Sequence, residues 1–158
     1  MFADFLPPSV VDIQDKIAIA VLQQLKRWVV QVPFEQGTTA IATAYVHYSR
    51  DRSASRPNAT PILLLPGFDS SLLEFRRLLL LLTTQHQTWA VDLFGLGFTE
   101  YLPTLAVNPQ IIRQHLLSVV KTWIGQLATG FDSTLHKSQW RQRYKFIATL
   151  LVCPFCSG

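Results

Sequence analysis

The 158 residues form a chain of moderate length, apolar composition and low charge, which excludes several classes of protein. Hydrophobic residues make up 49% of the chain and charged residues 15%, with a formal net charge of +4. The length suits one ordinary domain, and the composition excludes an intrinsically disordered chain. Four of the fourteen basic residues lie in residues 126–158, and so few charges are usual for a solvated surface. No nucleic-acid partner is therefore expected.

The N-terminal residues carry no targeting pattern. The first four residues lack the basic region of a secretory signal, and Asp12 and Asp15 interrupt the first apolar stretch. Apolar runs such as residues 78–82 are far shorter than the roughly 20 residues that span a bilayer. The sequence predicts a cytoplasmic protein with no membrane span.

The first third of the chain predicts a helix followed by a strand pair. Apolar residues recur at helical spacing over residues 10–28. Residues 29–34 and 39–48 are rich in β-branched and aromatic side chains and are separated by a turn at residues 35–37. We interpret them as two antiparallel strands. Residues 49–60 are polar and predict a loop.

The middle of the chain changes to an alternation of strand and helix. Residues 61–65 form a short apolar run and residues 87–91 end in Trp-Ala-Val, as expected of parallel strands buried on both faces. Ser71 and Glu74 have the spacing of a capping box at the start of a helix over residues 72–82. The order predicts a right-handed βαβ unit with parallel strands.

A further helix is predicted over residues 110–126, so that the fold class is α/β: a helix and an antiparallel pair leading into a parallel βαβ sheet. Ligands of such sheets bind beyond the carboxyl ends of the strands. Those ends are predicted at residues 66–70 and 92–100. No internal repeat is convincing.

Two segments at these strand ends resemble the α/β-hydrolase family. Residues 63–71 read LLLPGFDSS, similar to the family's loop after its third strand, in which His-Gly follows an apolar strand. Residues 92–100 read DLFGLGFTE, similar to the family's following loop, Asp-x-x-Gly-x-Gly-x-Ser. The resemblance covers about residues 28–126 and implies a partial α/β-hydrolase fold.

The resemblance implies an oxyanion hole, in which a backbone N–H of the first loop stabilises the oxyanion of acyl transfer. By position that donor is the N–H of Phe68. Proline stands at position 66 where the family usually has histidine. The alternative is that Pro66-Gly67 is simply a tight turn between strand and helix. The residues expected to support the two loops are Pro66, Gly67, Asp92, Gly95 and Gly97.

The catalytic residues of the family are absent from these 158 residues. No serine has a glycine two positions away on both sides, as the nucleophile elbow Gly-x-Ser-x-Gly requires. No Asp or Glu follows Asp132, and His136 is the only later histidine. His47, His86 and His115 fall in a predicted strand, loop and helix, where structural or solvated roles are expected. No catalytic residue is therefore assigned.

No cofactor or metal site is predicted either. Gly95 and Gly97 lack the third glycine of a dinucleotide-binding loop. Cys153 and Cys156 have the spacing of a redox dithiol, but only two residues follow Cys156, so the helix that such chemistry needs is absent. One Cys pair does not make a four-ligand zinc site. We interpret them as two thiols in a reducing cytoplasm.

The resemblance divides the chain into residues 1–126, the N-terminal part of an α/β-hydrolase domain, and residues 127–158, an atypical tail. A shift of one base allows residues 128–133 to encode an apolar strand. A shifted reading frame, a natural truncation and a divergent C-terminus remain the alternatives. In any of these cases we expect the tail to pack poorly against the rest of the chain.

Two functions remain open from the sequence. The first is a truncated α/β-hydrolase, inactive as this chain, whose intact relatives hydrolyse an ester or similar bond of a small-molecule substrate. The second is a non-catalytic interaction module built on an incomplete sheet. Because the parallel sheet would stop at its midpoint and leave a central strand as an edge, aggregation or chaperone binding is expected for the chain alone.

Overall fold

The computed structural model describes residues 2–35, 37–49, 60–130 and 148–150, and they form one five-stranded sheet with helices on both faces. The strand order is β1-β2-β4-β3-β5. The helices are α1 (Lys16–Leu22), α2 (Arg76–Leu82) and α3 (Pro109–Gly130), and the strands are β1 (Lys26–Phe34), β2 (Gly37–Tyr48), β3 (Ile62–Leu65), β4 (Thr88–Val91) and β5 (Ala148–Leu150).

The long helix predicted over residues 10–28 is wrong in extent. A 3-10 turn covers Pro8–Asp12, and α1 begins only after Asp15, whose carboxylate accepts hydrogen bonds from the N–H groups of Ile17 and Ala18. The helix ends at Leu22, and Trp28 lies in β1, opposite Thr43 of β2. Because the strand ladder satisfies the backbone groups near Trp28, pairing overrides the helical spacing of the apolar residues.

The predicted antiparallel pair is confirmed. Strands β1 and β2 pair along the whole of β1, from Lys26 opposite Tyr45 to Phe34 opposite Gly37. Gly37 has a φ of +128°, which suits glycine directly after the turn. Along β1 the side chains alternate, and those of Trp28, Val30 and Val32 are buried.

The predicted βαβ unit is also confirmed. Strands β3 and β4 are adjacent and parallel, with Ile62 opposite Thr88, and all residues of both strands are buried. The connection begins with a 3-10 turn, Leu72–Phe75, and continues into α2. The Ser71 hydroxyl caps this turn by accepting a hydrogen bond from the N–H of Leu73 at 3.4 Å.

The last helix and strand differ from the sequence prediction. Helix α3 continues to Gly130, so the backbone of residues 128–130 is helical where a shifted frame would encode a strand. Strand β5 pairs in parallel with β3 on the side away from β4. Leu63–Leu65 thus have partners on both sides, in β4 and in β5, although β5 has only three residues. The other tail residues, with Cys153 and Cys156, lie outside the described residues, and the packing of the tail stays a prediction.

Two apolar layers enclose the sheet. On one face α3 contributes Val119 and Trp123, which pack against the side chains of Leu63, Leu65 and Trp89. On the other face α1, α2 and the 3-10 turn before α2 contribute the buried side chains of Val21, Leu79 and Leu72. They pack against buried residues of β2, β3 and β4: Val46, Ile62, Leu64 and Ala90. Burial of β3 on both sides explains its uninterrupted apolar sequence. None of the helices in the described ranges is long and apolar enough to cross a membrane.

Candidate functional site

The carboxyl ends of β3 and β4 bring the two predicted loops together, and Asp92 joins them. Its side chain is completely buried directly after β4. One carboxylate oxygen, Oδ1, accepts a hydrogen bond from the N–H of Leu72 at 2.7 Å, just after the first loop. The other, Oδ2, accepts from the N–H of Phe98 at 2.8 Å, within the second loop. We call this arrangement the Asp92 bracket, because one carboxylate fixes both loops.

The second loop, residues 92–100, is also tied to β2. The N–H of Asp92 donates to the carbonyl oxygen of Ala44 at 3.0 Å. The hydroxyl of Thr99 donates to the carbonyl oxygen of Asp92 at 2.6 Å and accepts from the N–H of Ala44 at 2.9 Å. Glu100 continues this pairing, since its carboxylate accepts from the N–H of Ala42 at 3.0 Å. The loop is thus an extension of the sheet rather than a free connection.

Arg27 holds the same loop from β1. Its guanidinium donates to the carbonyl oxygen of Phe98 from Nε at 3.1 Å and from Nη2 at 2.6 Å. The ring of Phe5 lies under the guanidinium, with its centroid 4.2 Å from Cζ. Burial lowers the pKa of Arg27, and the charge of Glu100 opposes that shift. Phe98 is therefore held through its N–H by Asp92 and through its carbonyl by Arg27.

The electrostatics of Asp92 are governed by its burial. Burial raises the pKa of Asp92 to about 7, and the hydrogen bonds from Phe98 and Leu72 oppose the shift. At neutral pH both protonation states of the carboxyl group are then populated. Because the carboxyl group is enclosed by backbone donors, its chemical role here is to position the loops rather than to contact a reacting group.

The glycines of the second loop fit this geometry. Gly95 and Gly97 have φ angles of +76° and +53°, in the left-handed region that favours glycine. A Cβ added at Gly95 would lie 2.7 Å from Val107, and one added at Gly97 would collide with the carboxylate of Asp92. A side chain therefore does not fit at Gly95 or at Gly97.

Replacement of Gly97 tests this close approach. Gly97→Ala is expected to lower the free energy of unfolding by about 2–4 kcal/mol, because the new methyl group displaces the Asp92 carboxylate and the left-handed φ is strained. Gly125→Ala is the matched control, since a Cβ there meets nothing within 4 Å. In the helical α3 it should raise stability slightly. Urea denaturation of both variants measures the difference, and equal effects would contradict the bracket geometry.

Phe68 lies in the first loop with its side chain exposed, at 66% of its full accessibility. Pro66, before it, is buried, and the left-handed backbone conformation recorded in this loop is at Asp69, with a φ of +58°. Among the described residues no acceptor bonds the N–H of Phe68. Its role as an oxyanion donor stays a prediction, as do the supporting roles of Pro66 and Gly67.

The three histidines within the described ranges have structural surroundings. His47 stacks on Trp89 in the neighbouring strand, with ring centroids 4.0 Å apart, and burial together with Lys26 lowers its pKa. The Nδ1 of His86 lies 2.8 Å from the carbonyl oxygen of Thr60. His115 is buried within α3. His136 lies outside the described residues. Within the described residues no group of three or more His, Cys, Asp or Glu side chains could hold a metal ion.

Sequence reasoning missed several residues that shape the site. Arg27 lies 71 positions from the carbonyl that it binds, and no local pattern marks it. Thr99 carried a usable signal, because it stands at the serine position of the Asp-x-x-Gly-x-Gly-x-Ser pattern and its hydroxyl makes two hydrogen bonds. His115 was expected to have a structural role, and its hydrogen-bond partners were not predicted.

Comparison with known proteins decides the family. No protein-family model matches the sequence. The alpha/beta hydrolase domain-containing protein VTE7 of Arabidopsis thaliana is 33% identical over 129 residues, which cover 78% of this chain and 36% of that protein. The chain belongs to the α/β-hydrolase-fold family. It spans 36% of the length of this relative, so the activity of a whole protein is not carried over with the family.

Solved structures similar to this α/β-hydrolase chain have low sequence identity. A probable hydrolytic enzyme from Pseudomonas aeruginosa PAO1 matches with a TM-score of 0.49 and 16% identity, over 63% of this chain and 30% of that chain. The Cif epoxide hydrolase from Acinetobacter nosocomialis matches with a TM-score of 0.45 and 19% identity, over 77% of this chain and 36% of that chain.

Proposed function

We propose that this chain supplies the oxyanion-binding side of an α/β-hydrolase active site, which hydrolyses an ester or similar bond of a small-molecule substrate. The observation that carries the proposal is the Asp92 bracket at the carboxyl edge of the sheet. It fixes the loop containing Phe68 against the second loop, residues 92–100, which we call the glycine loop. Ligand sites of open α/β sheets lie at this edge.

The chemistry of the proposal rests on a preorganised donor. Attack on an ester carbonyl creates a tetrahedral intermediate with a negative oxygen, and a backbone N–H that is already aimed at this oxygen stabilises it without reorganisation. The N–H of Phe68 lies in the loop after β3 and donates to no acceptor among the described residues. Leu72, four residues later, is anchored to Asp92, which limits the movement of the loop.

We further propose that these 158 residues alone do not turn over an ester. The sequence has no Gly-x-Ser-x-Gly and no acid or histidine in the family's order after such an element. Oxyanion donors without a nucleophile leave only a small residual rate enhancement. The nucleophile, acid and histidine of a working site would come from residues that this sequence does not contain.

A direct assay tests this part of the proposal. With 4-nitrophenyl acetate, the purified chain is expected to release 4-nitrophenol no faster than buffer, because no activated nucleophile is present. The double variant Cys153→Ser, Cys156→Ser is the control for acyl transfer to a thiol. Turnover that persists in the double variant at many cycles per chain would contradict the proposal.

A second candidate is a non-catalytic interaction module, favoured by apolar side chains on the surface of the carboxyl edge. Phe68 is 66% exposed, and Tyr101, which stacks on Phe94 in the second loop, is 61% exposed. A partner that covers this edge would bury both. The two candidates differ in their dependence on the oxyanion loop, because an interaction surface needs the Phe68 side chain whereas an oxyanion hole needs its N–H.

The solution state of the chain also bears on the two candidates. We expect the chain expressed alone to be mostly aggregated or bound to chaperones, because β5 has three residues and leaves an edge of the sheet short of partners. Size-exclusion chromatography with light scattering measures this, and it isolates the monomeric fraction on which stability, NMR and hydrogen exchange are measured. A monodisperse monomer with a cooperative thermal transition would show that the expectation is wrong.

A further inference from the structure

His115 makes two hydrogen bonds that link α3 to β2 and to the glycine loop. The side chain is completely buried. Its Nδ1 accepts a hydrogen bond from the N–H of Phe94 at 2.9 Å. Its Nε2 lies 2.8 Å from the hydroxyl oxygen of Thr43, and that hydroxyl lies 3.2 Å from the carbonyl oxygen of Ile41. The imidazole therefore connects three elements through polar atoms inside an apolar layer.

The partners permit one protonation state of this imidazole. A backbone N–H only donates, so Nδ1 beside Phe94 has to be unprotonated. In neutral imidazole the proton is then on Nε2, which donates to Thr43, and the Thr43 hydroxyl donates onward to Ile41. Imidazolium would place two N–H groups against each other, and burial lowers the pKa of His115 to about 4, which favours the neutral form.

We infer that His115 is a positioning residue, whose neutral Nε2–H tautomer holds the N–H of Phe94 and thereby keeps the glycine loop and the Asp92 bracket in place. Phe94 lies between Asp92 and Gly95, in the first turn of the loop. Asp92 fixes the loop at residues 92 and 98, and His115 fixes it at residue 94 from the opposite helix. The geometric role stands without any catalysis, and its importance for hydrolysis rests on the proposed function.

The bond to His115 holds the middle of the loop, between the hydrogen bonds that tie Asp92 and Thr99 to β2. Gly95, directly after Phe94, is in the left-handed conformation, so the chain reverses there. A shift of Phe94 would move Asp92, two residues earlier, whose carboxylate holds Leu72 at the end of the candidate oxyanion loop. Loss of the His115 side chain would thus affect the first loop through the backbone of residues 92–94 and the carboxylate of Asp92.

The tautomer is tested on the unaltered chain. Nitrogen-15 NMR of the histidine side chains is expected to show, for His115, an unprotonated signal for Nδ1 and a protonated signal for Nε2. The Thr43→Val variant removes the acceptor of Nε2 at nearly constant volume and should shift the Nε2 signal while Nδ1 stays unprotonated, because Phe94 still donates to Nδ1. A protonated Nδ1 in the unaltered chain would overturn the assignment, and this measurement needs no variant to fold.

Amide hydrogen exchange tests the positioning role. His115→Phe is expected to raise exchange at Phe94, Phe98 and Leu72 by about tenfold or more relative to amides of the β1–β2 ladder, because the acceptor is lost. His115→Gln, which retains an acceptor and a donor, should restore part of the protection. His86→Phe, at another histidine bonded to a backbone group, is the control and should leave these three amides unchanged.

Two outcomes would overturn the inference. If His115→Phe accelerates exchange equally at all protected amides, the residue only stabilises the fold as a whole. If it leaves Leu72 and Phe98 unchanged, the bond to Phe94 does not act on the bracket. Both outcomes leave the hydrolase proposal intact, because the assay with 4-nitrophenyl acetate tests that proposal independently of His115.

Discussion

Asp92→Ala is expected to lower the free energy of unfolding by about 3–5 kcal/mol, the largest effect of a single substitution in the loops. The substitution leaves the N–H groups of Leu72 and Phe98 without acceptors inside the protein and empties the space of the carboxyl group. Each buried donor without a partner costs about 1–3 kcal/mol, and the cavity adds to that loss. Urea denaturation at pH 6 measures the change.

Two further substitutions define the mechanism of that loss. Asp92→Asn keeps one oxygen acceptor but turns an NH2 group toward the second donor, so about half of the loss is expected. Glu74→Ala removes a carboxylate that is exposed on the surface of the turn before α2, and its effect should stay below about 1 kcal/mol. A loss from Asp92→Ala as small as that of Glu74→Ala would mean that the bracket does not stabilise the loops.

The parallel part of the fold was predictable because burial on both faces leaves a clear mark in the sequence. Every residue of β3 and β4 is buried, and the short apolar segments within residues 61–65 and 87–91 therefore predicted both strands. The N-terminal helix was predicted too long because Leu25 and Trp28 fit the helical spacing of the preceding residues. Both are buried, but Trp28 faces α3 from a strand, and that outcome depends on pairing with β2 rather than on local pattern.

Some residues of the site were also predictable from local sequence, and others were not. Asp92, Gly95 and Gly97 were selected from a local motif, and the structure places them where a carboxylate and two left-handed glycines fix the loop. The contacts of Arg27 and His115 were not predictable, because their partners lie 71 and 21 residues away and the choice of partner follows from the tertiary fold. Periodicity describes which face is buried and carries no information on such hydrogen bonds.

The pH dependence of stability is expected to reveal Asp92 and His115 as opposing groups. Burial raises the pKa of Asp92 from 3.8 to about 7, so the folded state binds the extra proton between these values. Its stabilising contribution is therefore present below about pH 4 and lost as the pH rises to about 7. Burial lowers the pKa of His115 from 6.5 to about 4, so its contribution is present above about pH 6.5 and lost as the pH falls to about 4.

Between about pH 4.5 and 6.5 the two slopes therefore cancel in the unaltered chain, and removal of either group exposes the other. Relative to the unaltered chain, the slope of the free energy of unfolding against pH should be lower in His115→Phe by up to about 1.4 kcal/mol per pH unit, and higher in Asp92→Asn by a similar amount. His47, whose pKa is also lowered, is common to all three chains and cancels in these differences. Urea denaturation at pH 4.5, 5.5 and 6.5 and constant ionic strength provides the slopes. An Asp92→Asn slope equal to that of the unaltered chain would show that Asp92 is ionised throughout this range, because the two backbone donors would then outweigh its burial.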